Sequence, residues 1–306
     1  MSESVVECVP NFSEGVDARR VEAIIASMRE TGVSLLDWSM DADHNRSVVT
    51  IAGSPAAIVE AAVRAVGKAA ELIDLTRQQG VHPRIGAADV IPFVPVAGIK
   101  LEQCVLLARQ AGLEIWRRFG VPVFFYEAAA SRPDRANLED VRRGQFEGLR
   151  EAADKDPSRR PDLGGPGLHP TAGACAVGAR KFLVAYNVYF DSSDVAMVRA
   201  IAREIRAASG GLRGVKAMGV LAHDRAQLSM NITDFEATPI SQVYRKIAYL
   251  AARHHATIAE GEIIGLIPEA ACERESEWMR QLREFDPQTK ILERRLGAPL
   301  SWPGKA

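Results

Sequence analysis

Residues 47–96 contain SVVTIA (47–52), SPAAIVEAAVRAVGKAAELI (54–73) and DVIPFVPV (89–96), which together have the pattern of a strand, a helix and a second strand. Ser54 and Pro55 suit the N-cap and the first position of a helix. The apolar residues after Pro55 recur at helical spacing for about five turns. This stretch therefore predicts an amphipathic helix that packs on a sheet containing both strands.

The segments on either side extend the pattern. Further strands are predicted at residues 5–9, 33–38 and 121–126, and further helices at about 17–28 and 101–119. The first half thus has the order β-α-β-β-α-β-α-β. It contains the split β-α-β pattern of ferredoxin-like sandwiches, in which two helices cover one face of an antiparallel sheet.

The second half repeats the order as β-α-β-β-α-β-α. Its predicted strands are 182–190, 215–222, 226–233 and 258–266, and its predicted helices begin near 195, 239 and 268, with a charged helix at 286–296. We therefore predict an α+β protein with two related α/β sandwich subdomains, residues 1–179 and 180–306. Their sheets are expected to be mixed or antiparallel, with helices on the outer faces.

Between these halves, residues 130–179 show a weaker pattern. Arginines alternate with acidic residues over 132–143, which predicts a solvated helical region. Eight Pro and Gly residues then follow between Pro157 and Gly173. A loop of this length in a compact domain is usually functional or disordered. Because it contains His169 and leads into a strong strand, function is favoured.

The composition narrows the function classes. The 306 residues are 47% hydrophobic and 25% charged with a net charge of −1, which gives no case for nucleic acid as a partner. No apolar run approaches the ~18 residues of a membrane span, and the N-terminus lacks a signal-peptide pattern. The four cysteines are far apart, without a metal or disulfide spacing, so a cytoplasmic protein without a metal site is expected.

Two catalytic classes lack their sequence patterns. Gly173 to Gly178 has the spacing of a phosphate loop, but Ala179 and Arg180 stand where Lys and Ser or Thr are required. No Gly-x-Gly-x-x-Gly follows a strand, so no nucleotide cofactor is expected. No Gly-x-Ser-x-Gly is present either, which argues against a serine hydrolase.

The segment GVHPRIGAAD (80–89) is the strongest candidate for an active-site loop. It brings His82, Arg84 and Asp89 together in a stretch too rich in Gly and Pro for a helix. An imidazole with a pKa near ~6.5 can both accept and donate a proton at neutral pH. The alternative is a plain connection whose polar side chains face water.

Other polar groups fall at loops and strand ends. Asp41, Asp43 and Arg46 form a cluster between two predicted strands, which is either functional or a hydrated loop with Asp turn-formers. His44 and His169 lie in polar loops and could line a cleft. Asparagine is a poor strand former, so Asn11, Asn187 and Asn231 near strand ends make a polar lining of a shared cleft plausible.

Several long segments resemble the formiminotransferase family. They are VECVPNFSEG (6–15), DHNR (43–46), GVHPRIGAAD (80–89), TAGA (171–174), GARK (178–181), MNITDFE (230–236) and GLIP (265–268). The resemblance implies a pair of ferredoxin-like subdomains that transfer the formimino group of N-formimino-L-glutamate to N5 of tetrahydrofolate. The family's catalytic histidine matches His82. Its folate-binding segment matches a part of the Pro/Gly loop that contains Asp162, Gly164, Gly165, Gly167, His169 and Thr171.

Formimino transfer needs one group that moves a proton from N5 to the departing glutamate nitrogen, which a single histidine can do. Neither a metal nor a covalent intermediate is required, and tetrahydrofolate is a co-substrate. Both substrates carry carboxylates, so bidentate arginines are expected. Our candidates are Arg46, Arg84 and Arg180, with Asp43 or Asp89 orienting the imidazole.

Two alternatives stay open from the sequence. One is a formyl-group variant, acting on N-formylglutamate or as an ATP-dependent 5-formyltetrahydrofolate cyclo-ligase, and the missing nucleotide motif counts against the ligase. The other is a folate-binding protein without catalysis. A chain ending at Ala306 leaves no room for a cyclodeaminase domain, so we expect a stand-alone transferase. A homodimer is plausible, but donor preference, polyglutamate preference and oligomeric state are not encoded in any motif.

Overall fold

The computed structural model of this protein describes residues 4–303, and the chain divides into two compact units. The first unit contains the residues up to 180 and those from 299 onward, and the second contains residues 181–298. Residues after 298 return to the first unit, where the Leu300 N–H donates to the Leu35 carbonyl at 2.7 Å. On sequence alone these residues fall in the predicted second subdomain, residues 180–306.

The first unit is built on a seven-stranded sheet. Its strands are β1 (Val5–Cys8), β2 (Asn11–Phe12), β3 (Ser34–Asp41), β4 (Arg46–Gly53), β5 (Ala88–Ala97), β6 (Val123–Glu127) and β7 (Cys175–Ala179). Its helices are α1 (Ala18–Ala26), α2 (Pro55–Leu72), α3 (Leu101–Phe119), α4 (Leu138–Val141) and α5 (Gln145–Lys155), with 3₁₀ turns at Arg29–Thr31, Pro133–Arg135 and Pro157–Arg159.

Strand order in this sheet follows the predicted split β-α-β pattern. The interrupted strand β1/β2 lies between β4 and β5, and β3 pairs with the far side of β4, all antiparallel. Strands β7 and β6 then extend the sheet beyond β5 in parallel. The α+β class with a mixed sheet is therefore confirmed.

Helix α2 shows how local sequence sets this architecture. The Ser54 hydroxyl accepts the Ala57 N–H at 3.5 Å, and Pro55 occupies the first turn, as the sequence predicts. The buried face of α2 packs against β1 and α3. A Cβ on Gly67 would lie 2.3 Å from the Phe119 ring, so the close approach of α2 to α3 requires glycine there.

Strand β7 corrects the prediction for residues 130–179. Small residues fill β7 because large neighbours lie over it: a Cβ on Gly178 would lie 2.5 Å from the Tyr126 ring. Helices α4 and α5 pack on the sheet through Val141 and Leu149, which share a buried cluster with Tyr126. The predicted solvated helical region is thus correct only in part: Asp134, Glu139 and Arg143 are exposed, but Arg135 is only 3% exposed and Val141 is buried.

The second unit repeats the four-stranded order. Its strands are β8 (Val184–Phe190), β9 (Val215–Ala222), β10 (Arg225–Ile232) and β11 (Ile258–Ile264), and its helices are α6 (Val195–Ile205), α7 (Ile240–Arg253), α8 (Glu277–Arg280), α9 (Pro287–Lys290) and α10 (Leu292–Gly297), with 3₁₀ turns at Ala207–Ser209 and Glu269–Ala271. The sheet order is β11-β8-β10-β9, entirely antiparallel. Residues His223 and Asp224 turn the β9–β10 hairpin with φ of 51° and 58°.

Two predicted helices of the second half are wrong. Pro268 is followed by a single 3₁₀ turn rather than a helix. The helix predicted over 286–296 is broken at Ile291, which is buried and extended. The backbone there pairs with Ile267 instead, because Ile267 donates to Lys290 at 2.9 Å and accepts from Leu292 at 3.0 Å. Among residues 4–303, no helix combines the length and hydropathy needed to cross a membrane.

Candidate active site

Three loops of the first unit meet beside the start of β5: the segment after β2, the turn between β3 and β4, and residues 78–87. They enclose a narrow cleft with a free volume of about 10 Å³, which is room for about one water molecule. Its lining consists of Phe12, Ser13, His44, Asn45, Arg46, His82, Arg84 and Asp89. The cleft therefore brings polar and charged groups together but leaves little free space between them.

Asn45 joins two of these loops. Its side-chain oxygen accepts the Gly15 N–H at 2.9 Å, and its amide donates to the Gln79 carbonyl at 2.6 Å. A Cβ on Gly15 would lie 2.1 Å from the Asp41 carbonyl oxygen, so the first loop needs glycine to approach the turn. The cleft is thus preformed by contacts that involve main chain on every side.

His82 lies half-buried in this cleft. Its Nδ1 is 2.8 Å from the Pro83 carbonyl oxygen, and Nη1 of Arg46 lies 2.7 Å from Nδ1 and also contacts Nε2. The ring of His44 is 6.0 Å away, centroid to centroid. Two protein groups therefore hold the imidazole in one orientation.

The surroundings of His82 keep it neutral. Burial lowers the pKa of His82 well below its usual value, and the positive charges of Arg46 and Arg142 lower it further. At neutral pH the ring accordingly carries one proton and one lone pair. That is the state in which an imidazole accepts a proton.

Arg46 is fixed from its other side by Asn11. The Asn11 side-chain oxygen accepts from Nε of Arg46 at 2.9 Å and also contacts Nη2, while its amide donates to the Val9 carbonyl at 2.7 Å. Burial, followed by the charge of Arg142, lowers the pKa of Arg46 to about 9. The guanidinium is therefore still a cation at neutral pH.

Asp89 faces the cleft but is bound to Arg142. One carboxylate oxygen accepts the Ile85 N–H at 2.8 Å, and the other accepts from Arg142. Both side chains are buried, at 4% and 11% exposure. The contacts on the His82 ring come from Arg46 and Pro83, so the structure gives Asp89 a different partner from the imidazole that the sequence analysis assigned to it.

Two protein-family models match the sequence of this chain. The model of the Formiminotransferase domain, N-terminal subdomain, matches residues 5–180, and the Formiminotransferase domain model matches residues 185–285. The chain belongs to the formiminotransferase family. The resemblance that the sequence motifs carried is thereby confirmed.

Relatives within the formiminotransferase family cover nearly the whole chain. A glutamate formimidoyltransferase of Streptococcus pyogenes serotype M1 is 43% identical over 95% of this chain and 98% of its own length. One of Thermoplasma acidophilum is 44% identical over 96% and 97%. A formimidoyltransferase-cyclodeaminase of Gallus gallus is 40% identical over 87% of this chain, which corresponds to 51% of that protein.

In this member of the formiminotransferase family, the aspartates of the β3–β4 turn serve the turn itself. Asp41 accepts the His44 N–H at 2.9 Å through its side chain. Asp43 is exposed, and its carbonyl accepts the Val81 N–H at 3.1 Å, which ties the turn to the His82 loop. A catalytic role for Asp43 stays a prediction.

Arg84 already holds a protein carboxylate. Its two terminal nitrogens donate to the two oxygens of Glu147 at 3.0 and 2.7 Å, and one also donates to the Gln78 carbonyl at 3.0 Å. Arg84 is buried, and its hydrogen bonds lower the pKa of Glu147. This fork–fork pair locks the His82 loop onto α5, so a substrate carboxylate would have to compete with Glu147 for Arg84.

The first part of the Pro/Gly loop is anchored to the edge of the sheet. Asp162 accepts the Phe125 N–H at 2.8 Å and a hydrogen bond from Arg135 at 2.9 Å. Gly164 has φ of +70°, and a Cβ there would lie 2.4 Å from the Trp116 ring. Asp162 and Gly164 therefore have structural reasons for their identity, and their predicted contacts with folate stay predictions.

The end of this loop reaches the His82 segment. The Thr171 carbonyl accepts the Leu75 N–H at 2.9 Å, and the Ala172 carbonyl accepts the Ala87 N–H at 2.9 Å. Nδ1 of His169 accepts the Ala172 N–H at 3.0 Å, which leaves the proton of the neutral ring on Nε2. Burial also lowers the pKa of His169. Between these anchors, Gly165, Pro166 and Gly167 form the tip, with a cis peptide before Pro166.

The remaining predicted residues are not among those that line the cleft. Arg180 follows β7, and its N–H donates to the Phe93 carbonyl at 3.1 Å. Asn187 lies on β8 of the second unit, where its amide donates to Glu262 at 3.4 Å. Asn231 is exposed on β10. Their proposed substrate contacts stay predictions.

Arg142 is the functional candidate that sequence reasoning missed. Helix α4 has only four residues, too few for a periodic pattern to show which side chain points inward. The charged sequence around it reads as solvated, and its contact with Asp89 spans 53 positions. Within residues 4–303, His, Cys, Asp and Glu form no cluster suited to a metal ion.

Proposed function

We propose that this protein transfers the formimino group of N-formimino-L-glutamate to N5 of tetrahydrofolate, giving L-glutamate and 5-formimidoyltetrahydrofolate. The observation that carries the proposal is a neutral imidazole, His82, held beside the cationic Arg46 in a preformed cleft. Relatives named glutamate formimidoyltransferase at 43% and 44% identity support the same reaction. The reaction belongs to histidine degradation and one-carbon metabolism.

His82 moves one proton in this scheme. N5 attacks the formimino carbon, and the N5 proton passes to the lone pair of His82. The tetrahedral intermediate then breaks its bond to the glutamate nitrogen, which receives that proton. The imidazole is neutral again after each turnover. Such general acid–base catalysis contributes roughly 10²–10⁴-fold, and holding both substrates in one cleft supplies a further part of the rate.

Binding roles follow from charge and position. The carboxylates of the donor suit Arg46, with Arg180 as a further candidate, because guanidinium groups bind carboxylates in a bidentate manner. Tetrahydrofolate is proposed to bind along the Pro/Gly loop, from Asp162 to Thr171, whose end is tied to the His82 segment through Leu75 and Ala87. Asn11 would then act by fixing Arg46.

Domain assignment and cellular setting complete the proposal. Residues 1–179 and 180–306 are proposed as the N-terminal and C-terminal formiminotransferase subdomains, in line with the family matches at 5–180 and 185–285. The free thiols of Cys8, Cys104 and Cys175 are buried, which suits the reducing cytoplasm as its location. A second candidate function is not supported, because the formyl variants have no counterpart among the relatives' names.

Product analysis tests the proposal. The protein is incubated with tetrahydrofolate and N-formimino-L-glutamate, and 5-formimidoyltetrahydrofolate is identified by mass spectrometry. Parallel incubations use N-formyl-L-glutamate, or 5-formyltetrahydrofolate with ATP. We expect product with the formimino donor, and greater turnover with either formyl substrate would contradict the proposal.

The role of His82 is tested separately by His82→Ala, with the exposed His254→Ala as a matched control. We expect a loss of roughly 10²–10⁴-fold in kcat for His82→Ala and no change for the control. Folate affinity is measured by equilibrium binding on the same samples. Turnover of His82→Ala within a few-fold of the parent would refute the proton transfer.

A further inference from the structure

The hydrogen-bond partners of His82 fix which ring nitrogen is protonated. The Pro83 carbonyl can only accept, so Nδ1, at 2.8 Å from it, carries the proton. Nη1 of Arg46 contacts both ring nitrogens, at 2.7 Å from Nδ1, and a guanidinium can only donate; with the proton on Nδ1, the nitrogen that can accept from Arg46 is Nε2. In the substrate-free protein, the lone pair that would accept a proton is therefore occupied by Arg46.

Arg46, which is partly buried, differs in its partners from three other arginines of this unit. Arg84 is bound to Glu147, Arg135 to Asp162 and Arg142 to Asp89. The described contacts of Arg46 are to the neutral Asn11 amide and the neutral His82 ring. A partly buried cation whose hydrogen-bond partners are neutral gains most from a carboxylate, since an anion adds Coulomb attraction to the bidentate hydrogen bonds.

We propose that Arg46 is a positioning residue that covers Nε2 of His82 until a carboxylate of the donor substrate takes over its guanidinium. This inference rests on the proposed function, because it assumes that the donor carries a carboxylate into the cleft. Arg46 then turns from the imidazole to the substrate, and Nε2 is uncovered only when the donor is bound. The chemistry that this site recognises is an amino-acid carboxylate.

The electrostatics of the cleft favour the same sequence of events. The charged and titratable groups facing His82 are Arg46 on β4, Arg142 directly after α4, His44 on the turn, and Arg84 and Asp89 on the cleft lining. A carboxylate on Arg46 cancels one of the positive charges that lower the pKa of His82. Because an opposite charge favours the protonated imidazole, donor binding makes the ring more basic as well as accessible.

The proposal is tested by NMR on the full chain labelled with ¹⁵N-histidine, with the His82 signals assigned from His82→Gln. Without ligand we expect the Nδ1–H tautomer and a pKa well below ~6.5. With saturating L-glutamate, the probe used here, we expect that pKa to rise by about one pH unit. In Arg46→Gln the pKa should already be raised in the free protein and should not respond to L-glutamate.

Kinetics give a second readout that a purely structural role of Arg46 would not move. The acidic limb of the kcat/KM pH profile should shift to higher pH in Arg46→Gln, whereas Arg46→Lys, which keeps the charge, should leave it near its original position. The KM for the donor should rise by about ten-fold or more in both variants because the bidentate contact is lost. Circular dichroism establishes that both variants are folded.

The outcomes separate this proposal from the proposed function. An unchanged His82 pKa at any L-glutamate concentration, or the same response in Arg46→Gln as in the parent, overturns the Arg46 proposal even if formimino transfer is observed. A glutamate-dependent rise that Arg46→Gln abolishes supports the proposal even if the donor assay shows no transfer.

Discussion

Replacing Asp89 by asparagine should destabilise the first unit far more than the small change in side-chain shape suggests. Asp89 and Arg142 form an ion pair with side-chain exposures of 4% and 11%, and Asp89 also accepts the Ile85 N–H at 2.8 Å. An asparagine side chain at this position would keep one acceptor and lose the charge. Breaking a buried pair by removing one partner costs about 3–5 kcal/mol because the other charge is left uncompensated.

The loss of unfolding free energy in Asp89→Asn is expected near the upper end of the range of about 3–5 kcal/mol. Nε of Arg142 is already buried without a hydrogen-bond partner in the described structure, and Arg46 is a second cation close enough to feel its charge. The measurement is the free energy of unfolding in urea for Asp89→Asn, Arg142→Met and the double variant. The double variant should lose about 1–2 kcal/mol only, since it removes both charges and leaves neither unpaired.

Arg143→Met is the matched control for this series. Arg143 is adjacent in sequence, but its pair with Asp140 is exposed at 75% and 37%, so its loss should change the unfolding free energy by less than ~0.5 kcal/mol. A loss below ~1 kcal/mol for Asp89→Asn, or an additive double variant, would refute the view that this pair is a coupled buried unit.

Two further predictions concern the same unit. The pKa of His82 is lower in the folded state than in the unfolded chain, so the neutral ring's contribution to stability is complete above pH ~6.5. As the pH falls below that value, this contribution is lost by at most about 1.4 kcal/mol per pH unit. Between pH 7 and 5, the unfolding free energy in urea should therefore fall less in His82→Gln than in the parent protein. Gly164→Ala should raise the KM for tetrahydrofolate, because φ of +70° and a Trp116 ring 2.4 Å from the added Cβ disfavour a methyl group there. The control is Gly148→Ala in α5, where the space is open; it should leave KM unchanged and raise stability by about 0.5–1 kcal/mol. Equal KM values for the two variants would contradict this account of the loop.

Periodicity was sufficient for the parts of the fold that have a strong local pattern. Helix α3 has the predicted bounds, Leu101–Phe119, and the β9–β10 hairpin turns at His223 and Asp224, between the predicted strands 215–222 and 226–233. Strand β7 was not predicted, because Cys-Ala-Val-Gly-Ala consists mostly of small residues in place of the β-branched ones that indicate a strand. Tyr126 on the neighbouring strand leaves no room for a side chain at Gly178 of β7, and this is a constraint of the tertiary structure.

In the candidate site, too, features with a local sequence pattern could be predicted, and contacts between residues far apart in the sequence could not. His82 could be found from its loop, since Gly, Pro and charged residues around an imidazole are a local pattern. Its contact with Arg46 could not be predicted, because it joins positions 36 apart and depends on how β4 lies beside the loop. The partner of Arg84 could not be predicted for the same reason, because Glu147 is 63 positions away.

These partners explain why one arginine is the best candidate for the substrate. Arg84, Arg135 and Arg142 each pair with a carboxylate and so help to hold a loop in place. Arg46 is held by neutral acceptors, and its charge is available to a ligand without the loss of an ion pair. A substrate carboxylate therefore replaces hydrogen bonds to neutral groups at Arg46, whereas at Arg84 it would have to displace Glu147. The difference makes Arg46 the guanidinium that responds to substrate, and it links that response directly to the imidazole it touches.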